Sequence, residues 1–413
     1  MESKDRPALL GGPRACDFEW PRWPVHDESE RRLLLEVLDS GKWWFGEKVR
    51  AFEAAYAAFQ GSRFAVTCTN GTTAIEMALR GVGVVEGDEV IVPPYTFIAT
   101  ASAVVTVGAV PVFADIQPDT LCLDPDDVAR KITPRTRAII PVHVAGRMAD
   151  MARLNTLATR HRLAVVEDAA HAWGSQWQGR GAGTLGRCGT FSFQVSKNLT
   201  AGEGGVMVTD DEELADLCRS YTHCGRRKGS AWYDHDYLGS NLRMTEFQAA
   251  VLLAQLGRLP EQVARREANA QVLEAGLRDL PGIRLLAPAP EMTRRSYHMF
   301  IFRADEQELG LPRARFIEAV QAEGLPVSEG WYRPLYRNGV FANAHLGPAH
   351  GITAPLASAA IDYRGVRCPV CEAVCKDAVW IPHAVLLAGA ERLAKAVSAI
   401  RKVAQNAPAL RAD

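Results

Sequence analysis

The chain has no surplus of either charge: 47 Lys and Arg stand against 48 Asp and Glu in 413 residues. A protein that grips nucleic acid through its phosphates needs an excess of cations, so no nucleic-acid partner is expected. Long apolar runs are missing too. The most apolar stretch, residues 99–114, is interrupted by Gly108 and Pro111 and falls short of the roughly 20 residues that span a bilayer, so no membrane role is expected. The first residues, Met-Glu-Ser-Lys-Asp-Arg-Pro, lack the apolar core of a signal peptide, and the address reads as cytoplasmic. Nothing completes a zinc site. Cys368 and Cys371 have metal-ligand spacing and Cys375 follows, but no second Cys-x-x-Cys or His pair supplies the remaining ligands. The three therefore read as core cysteines on a helical turn, the nine cysteines as free thiols, and no metal is expected. A Walker lysine is absent after Gly71, and Gly81 and Gly83 do not complete a dinucleotide fingerprint, which disfavours an NTPase or a nicotinamide enzyme.

What the chain contains is an alternation of strand and helix signals. Phe64 to Thr69, Glu89 to Val92, Pro111 to Ile116, Ala138 to Val144 and Leu163 to Asp168 read as buried strands, with helical patterns between them such as Pro125 to Lys131. Such alternation predicts a mostly parallel sheet covered on both faces. Ahead of it, Asp27 caps a helix running to Ser40, with Glu30 three positions on and Gly41 at its end. Val49, Phe52, Tyr56 and Phe59 recur at helical spacing up to Gly61. A helix is read over Thr245 to Leu256. The pattern changes around Pro260, after which a charged helix is read from Gln262 to Leu280. The boundary is placed there: a large domain over residues 1–260, with an N-terminal helical arm, and a smaller domain over 261–413. Ala404 to Asp413 reads as a frayed tail.

Three places carry chemistry. Thr190 to Gly205 delivers one lysine, Lys197, into small and polar residues closed by Gly202, Gly204 and Gly205. An amine attacks carbonyls only when deprotonated, so a nucleophilic lysine must sit in a partly desolvated or cationic pocket. Upstream, Leu163 to Asp168 is an apolar run ending in two acids, and ligands bind at the carboxyl ends of strands in open α/β sheets. Asp168 either caps the following helix or pairs with a protonated pyridine nitrogen, the partner that lets pyridoxal phosphate (PLP) act as an electron sink. Third, Asn70-Gly71-Thr72-Thr73 lies between a strand and a helix read over Ala74 to Arg80. Such a turn offers backbone N–H groups and a helix dipole to an anion, which is compatible with plain N-capping. Tyr95 and Phe97 follow a strand end and either cover a cofactor ring or pack in a core. His171, three residues after Asp168, reads by itself as a hydrogen-bonded structural group.

Glu167-Asp168-Ala169-Ala170-His171, then Phe191-Ser192-Phe193-Gln194 with Lys197, then Ala201-Gly202-Glu203-Gly204-Gly205 together resemble the DegT/StrS family of PLP-dependent sugar aminotransferases, over about Trp23 to Leu387. The resemblance implies an α/β fold, the PLP-dependent aminotransferase fold type I, with a mostly parallel central sheet in the large domain and a smaller C-terminal α+β domain. It implies that Lys197 holds PLP covalently and moves the proton, that Asp168 keeps the pyridine nitrogen protonated, that Phe97 stacks on the ring and that His171 approaches the phenolic oxygen. Gly71, Thr72 and Ser192 would take the phosphate. Asn241, in Gly239-Ser240-Asn241-Leu242-Arg243, would reach the phosphate of a neighbouring subunit, which implies a homodimer with two shared sites. Tyr95, His298, Tyr332 and Arg333 are the candidates for substrate contact. The implied activity moves an amino group from L-glutamate or L-glutamine to a keto sugar, usually nucleotide-linked, or to a keto-cyclitol.

Two other readings stand beside it. Trp43-Trp44, Ala145-Gly146-Arg147-Met148-Ala149-Asp150 and the segment around Asn241 also resemble the aromatising 3-amino-5-hydroxybenzoate synthase branch. A regulatory homologue that binds PLP without turnover would be expected to lose Lys197 or Asp168, and both are present. The family's dehydratases carry histidine in place of the lysine, so Lys197 counts against that branch.

Overall fold

The computed structural model describes residues 5–342 and 362–411. Its thirteen strands among the described residues are β1 (Phe64–Cys68), β2 (Glu89–Val92), β3 (Val110–Phe113), β4 (Thr136–Ile139), β5 (Ala164–Asp168), β6 (Gln176–Trp177), β7 (Arg180–Gly181), β8 (Cys188–Ser192), β9 (Gly205–Thr209), β10 (Ile283–Leu285), β11 (Met292–Arg294), β12 (Met299–Ala304) and β13 (Ala378–Pro382). Seven of them form the main sheet, ordered β1-β9-β8-β5-β4-β2-β3. All run parallel except β9, which pairs antiparallel with both β1 and β8. The α/β class with a mostly parallel sheet is thus borne out, and the near-continuous burial of β2, β5, β8 and β9 is what helices on both faces produce.

Local signals explain the first helices. Asp27 caps Glu28–Ser40 in a capping box with Glu30, and Gly41 ends it in the left-handed conformation. Gly61 ends Glu47–Gln60 in the same way. The helix expected from Ala74 begins earlier, at Gly71, because Asn70 is its cap and accepts from Thr73 N. Two strands are shorter than expected: β3 stops at Phe113 and β4 at Ile139. The apolar run continues past both ends because Ala114, Ile116, Ile140, Val142 and Val144 stay buried while the chain turns. Burial, rather than strand pairing, sets that composition.

The largest departure lies at Pro260. Instead of two helices, one helix runs from Glu246 to Leu277 with Pro260 inside it. A proline removes one backbone hydrogen bond and crowds the turn before it, but packing holds both halves. Ala249, Leu252, Leu256, Leu259 and Val263 join a cluster with Trp173, Phe191 and Phe193, whereas Ala270, Leu273 and Leu277 join a second cluster with Phe302, Phe316 and Ile400. The composition change marks a change of neighbours along one helix. Around that second cluster, β10, β12 and β13 form an antiparallel sheet with helices Arg313–Ala322 and Ala390–Gln405. The expected fraying from Ala404 is not found. A short helix, Ala407–Leu410, follows, and Ala407 and Leu410 are buried in the same cluster; residues 412–413 lie outside the described residues. Cys368, Cys371 and Cys375 are buried at and within the helix Pro369–Asp377, as core packing requires.

Candidate active site

Asp168 ends β5, on the carboxyl side of the sheet. Its backbone is fixed from both neighbours: Asp168 N donates to Pro141 O at 2.9 Å, and its carbonyl accepts from His143 N at 3.0 Å. The preceding acid braces the strand end. Glu167, fully buried, accepts from the amides of Gly183, Leu185 and Gly186 at 2.8, 2.7 and 2.6 Å and lies 2.8 Å from His143 Nε2. Asp168 is also buried, and its side chain accepts from Thr100 Oγ1 at 2.7 Å and from Ala170 N at 3.2 Å. Among the described residues no cation pairs directly with it. Burial pushes its carboxyl above the ordinary carboxylate value, while the two donors and the charge of Lys197 act against that rise. A buried acid of this kind suits a ligand that brings a positively charged N–H, which is what the pyridinium of PLP would supply.

Lys197 lies in the turn after β8. Burial pushes its amine down to about 8, opposed by the charge of Asp168. Near neutral pH a useful fraction is therefore the free base, the form that attacks a carbonyl. Its Nζ lies 6.0 Å from the ring centroid of Trp173. Behind it stand three buried histidines, with His171 and His298 ring centroids 4.3 Å apart and His298 and His383 5.5 Å apart. His298 Nδ1 bonds Asn198 Oδ1 at 3.0 Å. Asn198 Nδ2 is committed to Ser296 O at 3.1 Å, so the histidine is the donor and its proton sits on Nδ1. His171 is the opposite tautomer, because its Nδ1 accepts from Ala145 N at 3.4 Å. Burial first, then nearby charge, holds both rings well below the usual imidazole value, so they are neutral.

The anion corner is built by Gly71. A Cβ there would come 2.6 Å from Ser192 Cβ, so the absence of a side chain lets the helix start lie against the end of β8. The first amides of a helix have no intrahelical acceptor, and those of Gly71 and Thr72 open this helix beside the Ser192 hydroxyl, which accepts from Gln194 N at 3.3 Å. These features, together with Asp168 and Lys197, fit PLP at both its charged ends.

The remaining expected residues are spread more widely. Phe97 is 60% exposed, at the start of the segment leading into the helix Ala99–Thr106. Tyr95 is buried, and its hydroxyl accepts from Trp380 Nε1 at 3.1 Å. His298 is buried behind Lys197, while Tyr332 and Arg333 are exposed and lie against each other, the guanidinium 4.8 Å from the ring centroid. Asn241 is exposed and bridges to His223; no hydrogen bond among the described residues joins it to Gly71, Thr72 or Ser192. Sequence reading missed Thr100, Asn198 and His383; next to the expected Tyr332, the ring of Trp331 stacks on His171 at 5.8 Å. For Thr100 a faint signal existed: Thr96 and Thr100 stand one helical turn apart, and their hydroxyls lie 2.9 Å apart.

Residues 24–401 match the DegT/DnrJ/EryC1/StrS aminotransferase family model. The chain is 40% identical to 3-amino-5-hydroxybenzoate synthase of Amycolatopsis mediterranei, over 91% of this chain and 95% of that protein. It is 39% identical to L-glutamine:2-deoxy-scyllo-inosose aminotransferase of Streptomyces kanamyceticus, over 95% of each. Among solved structures it is similar to 3-amino-5-hydroxybenzoic acid synthase, with a TM-score of 0.83 at 38% identity, covering 94% of this chain and 99% of that one.

Proposed function

The chain belongs to the DegT/DnrJ/EryC1/StrS aminotransferase family and is a PLP-dependent aminotransferase, and we propose that it moves the amino group of L-glutamine onto a keto-cyclitol. The observation that carries the PLP part of this reading is a buried acid, Asp168, that lacks a direct cationic partner, together with a lysine whose amine burial has pushed down to about 8; the choice of donor and acceptor is supported by the 39% identity to L-glutamine:2-deoxy-scyllo-inosose aminotransferase. PLP, when bound, supplies an electron sink for breaking a C–H bond beside nitrogen. Asp168, in this reading, keeps the ring nitrogen protonated, with the Thr100 hydroxyl steadying its charge. The amides of Gly71 and Thr72 and the hydroxyl of Ser192 would hold the phosphate, and Phe97 and His171 would contact the ring portion. Lys197 would hold PLP through its Nζ and, with its amine pushed down to about 8, would serve as the base that takes a proton from the donor carbon. Tyr95, His298, Tyr332 and Arg333 belong to the acceptor side. We also propose a homodimer in which Asn241 completes the partner's phosphate site. Among the described residues no helix is long and apolar enough to cross a membrane.

A second reading has its own support in the 40% identity to 3-amino-5-hydroxybenzoate synthase: formation of an aminobenzoate ring. One experiment separates the two. The purified protein is loaded with PLP and divided: one portion is reduced with borohydride and mapped by mass, and the other, unreduced, is assayed with L-glutamine against keto-cyclitols, nucleotide-linked keto sugars and cyclic amino-shikimate precursors. The expected result is a reduced PLP adduct on Lys197 and an amino-cyclitol product. A protein without an adduct sinks the whole reading, turnover of nucleotide sugars alone sinks the cyclitol, and an ultraviolet-absorbing benzoate product establishes the second reading.

A further inference from the structure

Two side-chain donors from distant parts of the chain end on the two carbonyls just before Lys197. Trp23 Nε1 donates to Val195 O at 2.9 Å. His383 Nε2 lies 3.0 Å from Ser196 O, and since a carbonyl only accepts, the histidine proton must be on Nε2. Arg266 enforces that tautomer. Its Nη2 bonds His383 Nδ1 at 3.1 Å, and a guanidinium can only donate, so Nδ1 carries the lone pair. Arg266 is fully buried, with Nε and Nη1 unpartnered among the described residues. The guanidinium carbon stands 5.4 Å from the ring centroid of Trp23, whose ring in turn meets His383 edge-on at 4.6 Å. Besides that face and the imidazole, only the Gln262 amide oxygen, 3.4 Å from Nη2, meets the guanidinium among the described residues, and a buried cation without a carboxylate is costly.

Without these donors the peptides before Lys197 are held by bonds within their own turn: Lys197 N to Gln194 O at 2.9 Å and Ser196 N to Gln194 Oε1 at 2.8 Å. Val195 and Ser196 are exposed, so packing adds little. Both donors belong to segments tied to the second core cluster. His383 follows β13 and precedes the buried Val385 and Leu386. Trp23 ends an arm anchored by Cys16 in that cluster and by Trp20 Nε1 on Gly324 O at 2.7 Å.

We propose that Trp23 and His383, with Arg266 fixing the histidine tautomer, are positioning residues that clamp the Val195–Ser196 backbone and so set where Lys197 Nζ stands for proton transfer. The proposal rests on the reading of Lys197 as the PLP lysine. The test compares holoenzyme variants Trp23→Phe, which keeps a ring but loses the donor, His383→Leu, and His383→Gln, whose amide can stand in for Nε2–H. The readouts are kcat and donor KM, borohydride trapping of PLP on Lys197, and hydrogen exchange of the peptide spanning residues 194–200. Misplacing a reacting group by about 1 Å costs on the order of 100-fold in rate, so a partial displacement is expected to lower kcat by about tenfold in Trp23→Phe and His383→Leu. Donor KM should stay within about twofold and exchange should quicken, while His383→Gln keeps most of the rate. Should His383→Leu fail to fold, Trp23→Phe decides. Unchanged kcat and exchange in Trp23→Phe, a loss confined to KM, or a His383→Gln as slow as a folded His383→Leu each overturns the clamp. Failure of wild type to trap PLP on Lys197 instead overturns the reading beneath it.

Discussion

Replacing Thr100 with valine keeps the shape of the side chain and removes the hydroxyl that donates to Asp168 Oδ2 at 2.7 Å. Because that single proton goes to the acid, the neighbouring Thr96 must donate to Thr100 across their 2.9 Å contact, and the change also frees Thr96. A hydrogen bond to a charged group contributes about 1.5–3 kcal/mol, which in a buried site acts almost wholly on the ionised acid. At 1.4 kcal/mol per factor of ten, ionisation of Asp168 becomes roughly 10- to 150-fold harder. Since the donor favours the charged form, its loss adds to a rise already caused by burial. The acid limb of kcat/KM should therefore move up by about one to two pH units, with weaker PLP binding at neutral pH and recovery in Thr100→Ser. The apo protein gives an independent check. An acid whose native value is raised binds its proton more tightly in the folded state, so its contribution to stability is present at low pH and lost as pH climbs from the unfolded value through the native one. Thr100→Val should extend that loss to higher pH, read as urea midpoints that keep falling where wild type has levelled. An acid limb and a midpoint profile both unmoved in Thr100→Val would refute the assignment of Thr100 as the donor that keeps Asp168 charged.

Gly71→Ala should place a methyl 2.6 Å from Ser192 Cβ; overpacking of this kind costs about 1–3 kcal/mol, expected as a roughly 5- to 140-fold weaker PLP affinity in an equilibrium titration with Lys197 still reactive, and unchanged affinity would show that the corner has room to spare. Mixing inactive Lys197→Ala with inactive Asn241→Asp should restore activity towards half of wild type in the heterodimer fraction, because one site then carries both lesions and the other none; no recovery despite demonstrated subunit exchange would place Asn241 in its own subunit's site.

Legibility in the sequence followed the reach of each interaction. Most of the main sheet was readable because burial imprints itself on short apolar runs, although β9, its one antiparallel strand, was not among the strands read. Asp168 and Lys197 stood out as candidates because a strand-end acid and a lysine in a small-residue turn are uncommon residue types at positions fixed by local structure. The helix through Pro260 was misread for the complementary reason: a proline is a strong local signal, and what overrides it is the attachment of Ala249–Val263 to one cluster and Ala270–Leu277 to another, which no window of sequence contains. The supporting shell shows the same limit more sharply. Thr100 lies 68 residues from Asp168, Trp23 lies 172 from Val195, and His383 lies 187 from Ser196. Each makes a bond that several residue types could make, since a carboxylate accepts from any hydroxyl and a carbonyl from any N–H. A reactive group must be a particular chemical species and so leaves a trace in composition. A group that only positions another needs a donor at the right point in space, and it is the fold, bringing the N-terminal arm and the C-terminal strand onto one turn, that selects which donor arrives there.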